Sequence, residues 1–194
     1  AVLRHFPTKE ALWLAVMEWL EEHLVGIYAS ADEADEAALV VLSGMFLQHI
    51  RLIERYPALA KLVLSDHLRL QFPSLQARFG TIHKGYMARL SAILDRAKSE
   101  DSVSETVDPK DAATMFLSLV QGLGFQFAIA RVQGGVQSEA ERLLALYLRG
   151  LMSGQAVAGR VRGTIKASKR RLSENGSNAE RTGLASTTAG RVRR

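Results

Sequence analysis

Apolar residues over positions 1–154 recur in steps of three and four, the spacing that keeps them on one face of a helix. Leu39, Leu42, Phe46, Ile50 and Ile53 form one such stripe, and Leu75, Phe79, Ile82, Tyr86, Leu90, Ile93 and Ala97 form another. No stretch sustains the alternation of a half-buried strand, so the pattern predicts an all-α helical bundle. The breaks between stripes carry helix-start and helix-stop residues. Thr8 caps a first helix through Ala29, Asp32 and Asp35 cap a second ending near Tyr56, and Pro57 opens a third that stops near Leu70. Pro73 and Ser74 open a fourth, to about Lys98. Asp108 and Pro109 start a fifth that runs to Gln133, ahead of Gly134 and Gly135. Ser138 and Glu141 have capping-box spacing for a sixth, ending at Gly154.

The fifth helix departs from simple amphipathicity. Met115, Phe116, Leu117, Leu119, Val120, Leu123, Phe125, Phe127 and Ile129 leave it no polar face, so both of its sides need cover. The domain's own core covers one side. A two-fold homodimer would cover the other, where Ser118 and Gly122 allow close approach beside Phe125, with Leu143, Leu146, Tyr147 and Leu151 joining from the sixth helix. The alternative is the central helix of a monomeric bundle. A membrane span is a weaker reading, because Gln121, Gln126 and two glycines lie inside the stretch.

Charge changes the picture at the C-terminus. The 194 residues carry a net +5, yet residues 155–194 hold ten Lys and Arg against Glu174 and Glu180, a net +8, which leaves the preceding residues at −3. This stretch is rich in Gly, Ser, Thr and Ala, has no aromatic residue, and reads as a disordered tail. With no cysteine, thiol catalysis and Cys-based metal sites are excluded. No uninterrupted apolar run reaches the ~18 residues of a membrane span, and Glu10 and Glu18 fall where a signal peptide needs an uncharged core. A soluble cytosolic protein is expected.

Catalytic motifs are missing from the sequence: no Gly-rich phosphate loop, no G-x-S-x-G, no H-x-x-x-H. The expectation is therefore a protein that is not an enzyme and uses no cofactor or metal. The five histidines are scattered, although His49 and His83 sit beside the apolar faces of the second and fourth helices, near Phe46 and Tyr86. If those faces meet, both imidazoles line one cavity; otherwise each is a partly buried core histidine.

The N-terminal run Arg4-His5-Phe6-Pro7-Thr8-Lys9-Glu10-Ala11-Leu12 is the most informative segment. It is a basic and aromatic stretch, a proline-bent turn, and a helix start whose free amides and positive dipole end suit a phosphate. This run resembles the junction between the recognition helix and the next helix in TetR-family transcriptional regulators. The resemblance extends over residues 1–154 in architecture. It implies that 1–29 is a remnant of the DNA-binding domain, 30–154 an effector-binding and dimerisation domain, and 155–194 an added basic tail. It places Leu3, Arg4 and His5 near DNA, with Lys9 and Thr8 touching phosphate. The family's first helices are absent before Ala1, so the chain looks N-terminally truncated and is not expected to bind an operator specifically as it stands.

The function implied is a ligand-responsive DNA-binding regulator, of repressor type, here chiefly its effector-binding and dimerisation core. Its partners would be operator DNA for the full-length protein, a small hydrophobic or aromatic effector, and a second copy, with no membrane. The converging faces nominate Met45, Phe46, His49, Phe79, His83, Tyr86, Phe116 and Gln121 as ligand-binding residues. The alternative is a constitutive dimeric interaction module without ligand or specific DNA binding. A third reading is non-specific nucleic-acid binding by the tail through Arg160, Arg162, Lys166, Lys169, Arg170 and Arg171.

Overall fold

A computed structural model describes residues 6–32, 36–63, 65–130, 136–152, 163–171 and 173–174. The described residues are helical, with no strand: α1 (Lys9–Asp32), α2 (Ala38–Arg55), α3 (Pro57–Val63), α4 (Asp66–Gln71), α5 (Pro73–Ser99), α6 (Pro109–Ala130) and α7 (Gln137–Leu151). A further helix, α8, covers residues 163–171. The all-α expectation therefore holds.

Helix α2 lies at the centre and packs against α1, α3, α5, α6 and α7. Leu39, Leu42, Phe46, Ile50 and Ile53 are all buried, joined by Val41, Met45 and Leu47. The α5 stripe is buried at six of its seven positions, and the seventh, Phe79, is half-buried against the core. On α1, Met17, Leu20, Leu24 and Ile27 form the inner face. Arg78 of α5 pairs with Glu21 of α1, and Ser74 donates to Glu10, so two polar ties hold these helices along one edge.

Several helix starts differ from the local caps expected. Thr8 behaves as predicted: its Oγ1 accepts from the Ala11 amide at 3.0 Å. So does Asp108, whose Oδ1 accepts from Lys110 and Asp111 at 2.7 and 3.2 Å, just ahead of Pro109. Asp32, by contrast, ends α1 and does not start α2, and Asp35 lies outside the described residues. The residue at the α2 cap position is Ala37, which has no side-chain acceptor, and Glu100 at the end of α5 accepts from Ala38 N–H at 2.8 Å. Likewise the Ser138–Glu141 capping box gives way to a carboxylate from another helix. Glu54 of α2 accepts from Val136 N–H at 2.9 Å and from the Gln137 side-chain amide at 2.7 Å, so α7 starts at Gln137.

The expected third helix is two. It breaks near Ser65, which has extended backbone, and Asp66 opens α4. Ser and Asp favour helix starts over helix interiors, because their short side chains compete for local amides. After α5 the chain turns through Asp101 at φ 53, a left-handed position that Asp tolerates better than most residues. Lys98 donates to the carbonyls of Glu105 and Val107, and Ser104 N–H donates to Leu151 O at 2.8 Å, which fastens this loop to the end of α7.

The basic tail is described in part. Residues 163–171 are helical and rest on the body: Ile165 packs against the core and Ser168 is fully buried. The remainder of the tail falls largely outside the described residues.

Glu54→Ala leaves the buried Val136 amide without its acceptor. The expected loss is about 1–3 kcal/mol of folding stability, read from the denaturant midpoint, whereas Glu54→Gln keeps an acceptor oxygen and loses less.

Candidate functional site

Five helices converge on a cavity of about 100 Å³ between α1, α2, α3, α5 and α6, partly open to solvent. Its lining is apolar over most of its surface: Leu20 and Leu24 from α1, Leu52 and Ile53 from α2, Leu59 and Val63 from α3, Phe79 and Ile82 from α5, and Leu117 and Val120 from α6. The polar groups are His49, His83, Tyr86 and Gln121, with Gly124 beside Gln121. This is the composition of a site that holds a small apolar molecule and orients it by a few polar groups. The volume suits a ligand no larger than a single aromatic ring, since a dry cavity of ~150 Å³ accommodates benzene.

His49 and Tyr86 form the polar core of the lining. His49 Nδ1 lies 2.9 Å from Tyr86 Oη, with the rings edge to face at 5.5 Å. Burial holds His49 well below the usual imidazole range, at about 4. Burial, and next the neighbouring Tyr28, push the Tyr86 hydroxyl well above its ordinary value. Both groups are therefore neutral at physiological pH, and either tautomer of His49 satisfies the shared hydrogen bond. Tyr28 of α1 packs on Tyr86 at 5.4 Å, so α1 touches the back of this pair.

Of the eight residues nominated for ligand binding, His49, Phe79, His83, Tyr86 and Gln121 line the cavity. Met45, Phe46 and Phe116 do not. Phe46 and Phe116 meet edge to face at 5.3 Å, Phe116 continues to Tyr147 of α7 at 6.0 Å, and all three nominated residues are buried in the core. The helical period places them on the right half of the helix without distinguishing the cavity from solid packing. The contributions of α1 and α3 were not anticipated, although Met17, Leu20, Leu24 and Ile27 carry the same three-and-four spacing.

The expected DNA-side residues are only partly described. Leu3, Arg4 and His5 lie outside the described residues. Thr8 spends its hydroxyl on the α1 cap, and Lys9 is exposed at the first position of α1.

The outer face of α6 bears exposed Met115, Ser118, Phe125 and Ile129, with Gly122 between them open to solvent space. These positions fall on one stripe by their spacing, and Leu146 of α7 is exposed while Leu143 is half-buried. Tyr147 and Leu151 are corrections to the expected interface. Both are buried within the protomer, where Tyr147 Oη donates to Ala112 O at 2.9 Å, tying α7 to α6. Residues 109–129 form a helix long and apolar enough to cross a membrane, but its inner face, with Phe116, Leu117, Val120 and Leu123, is core of the bundle. Among the described residues no three His, Asp or Glu side chains converge as a metal site.

No protein-family model matches the chain. The chain is distantly similar to the nucleoid occlusion factor SlmA of Enterobacter sp. (strain 638), at 25% identity over 129 residues covering 66% of this chain and 64% of that protein. The same factor from Klebsiella pneumoniae is 24% identical over 129 residues, and that from Sodalis glossinidius 22% over 127, with the same shares covered. The chain thus spans just under two thirds of the length of the curated relatives it matches. SlmA is a TetR-family regulator, and the similarity of this chain to it is distant.

His49 gives the fold an acid sensitivity of definite sign. Its pKa is about 4 when folded and 6.5 when unfolded, so the unfolded chain binds the extra proton between those values. Stability falls as pH drops from 6.5 toward 4, by about 3 kcal/mol from this group. Thermal melts across that window should show a shallower loss in His49→Gln than in the wild type.

Proposed function

We propose that this chain is the effector-binding and dimerisation portion of a ligand-responsive DNA-binding regulator of the TetR type. The observation that carries the reading is the apolar cavity whose wall includes α1, the helix that Thr8 caps and Lys9 begins. A molecule seated between Leu20, Leu24 and Tyr86 bears directly on α1, so occupancy and the position of the α1 N-terminus are mechanically linked. The distant similarity to a TetR-family regulator supports this assignment. The ligand class is small, hydrophobic or aromatic, with His49, His83 and Gln121 as orienting groups. Operator DNA is the partner in this reading; the ligand acts by binding the DNA-free arrangement more tightly, and about 1.4 kcal/mol of difference gives tenfold release.

The exposed stripe of α6, with Leu146 of α7, supports the homodimer in the same proposal. Contiguous apolar surface of this kind needs cover in water, and a two-fold axis brings the same stripe of a second copy onto it. One observation favours a second reading, a constitutive dimeric interaction module without ligand. The cavity is small beside the ~300–1,000 Å³ of typical ligand sites, so the interior comes close to being simply filled.

Thermal denaturation against a panel of monocyclic aromatic compounds separates the two. The regulator reading expects a concentration-dependent rise in melting temperature that Val120→Phe abolishes by filling the lining. No shift across the panel supports the module. Sedimentation equilibrium tests the dimer: Phe125→Asp should convert a dimer to a folded monomer, and a wild-type monomer would sink this part of the proposal.

A further inference from the structure

The basic tail turns back onto the body through α8, and the way it is held is informative. Ser168 is fully buried, and a β-carbon on Gly44 of α2 would lie 3.3 Å from its Oγ, so Gly44 is the seat on which α8 rests. Two ion pairs flank that seat: Arg171 with Glu36 at 2.9 Å, and Lys169 with Glu141 of α7 at 2.6 Å. Ile165 adds a partly buried apolar contact.

Each of these attachments is weak. Partly exposed ion pairs contribute little net stability and are screened by salt. The Ser168 hydroxyl is buried without a hydrogen-bond partner, which opposes docking. A nine-residue helix does not persist alone in water, so α8 holds its shape only while seated. Docked and released states therefore lie close in free energy.

We propose that the tail is a two-position element: its α8 segment docks on α2 and α7 by using the body's acids as stand-ins for phosphate, and is released onto the backbone of duplex DNA. Lys169 and Arg171 cannot serve Glu141 and Glu36 and two phosphates at once, so docking and DNA contact exclude each other. Residues 155–194 carry a net +8, which gives the released tail the charge to bind a phosphate backbone without reading sequence. The choice of DNA rests on the regulator reading above; the docked state does not.

Two substitutions in the full chain move the balance in opposite directions. Gly44→Leu fills the seat, where a β-carbon alone would already lie 3.3 Å from Ser168 Oγ. Ser168→Ala removes the unsatisfied hydroxyl and tightens docking. If α8 is seated nine-tenths of the time, Gly44→Leu should bind a random-sequence duplex about tenfold more tightly than wild type, and Ser168→Ala more weakly. Amide hydrogen exchange over 163–171 should be about tenfold slower in wild type than in Gly44→Leu, and slower still in Ser168→Ala. Glu141→Lys should reproduce the Gly44→Leu result if that variant does not fold. Fast exchange in wild type, or equal duplex affinity in all the variants, overturns the proposal. Release by heparin or RNA in preference to duplex DNA overturns the choice of partner. A chain that neither dimerises nor binds an aromatic ligand leaves these differences intact, so the two readings fail separately.

Discussion

The structure depends on enclosing α2. A helix packed by five others has nowhere to expose its terminal amides to water, and buried amides without acceptors are costly. The Ala38 amide is satisfied by Glu100, which stands where α5 ends. The far end of α2 repays the arrangement, because Glu54 in its last turn accepts from the start of α7. Two carboxylates thus fix the relative height of α5, α2 and α7, each also meeting the positive end of a helix dipole. The apolar stripes set which faces meet. These acids set how far along one another the helices sit.

This division explains what could be read before the structure. The stripes of α2 and α5 are local patterns, and they identified buried faces almost residue by residue. Thr8 and Asp108 are local caps, and they also came through. Glu54 and Glu100 act on amides 82 and 62 residues away, and no spacing rule anticipates a cap that distant. The same distinction governs the candidate site. Hydrophobic period marks Phe46 and His49 as core-facing alike, but one fills space against Phe116 while the other borders a void. That difference belongs to how five helices diverge, and it appears in no single segment. Tyr147 and Leu151 show the converse error, since an over-supplied apolar helix does not announce which of its residues its own protomer consumes.

His49 and Tyr86 illustrate why a polar pair is tolerated in an otherwise apolar lining. Each satisfies the other, so neither is left as an unpaired buried group, and both remain neutral. Tyr28 on the other side of Tyr86 brings α1 into the same contact chain. A shift of Tyr86 is therefore felt first by α1, the element that leads toward Thr8 and Lys9. That order of contact gives a physical route from the cavity to the N-terminal end.

The tail adds a constraint of a different kind. Composition assigns it to disorder because it has no aromatic residue, is rich in Gly, Ser, Thr and Ala, and shows no helical period long enough to bury a face. That judgement about the isolated segment is physically sound, and the docked helix does not contradict it. Its order is borrowed from Gly44, Glu36 and Glu141, which supply the missing surface and charge. The separation of charge between a −3 body and a +8 tail then has a structural meaning. Some of the body's acids are positioned against the tail's bases, and the net +5 of the chain understates what either part presents when they separate. A polyanion meets a partly neutralised surface when α8 is seated and the full tail charge when it is not, so nucleic-acid affinity and tail order are two readings of one equilibrium.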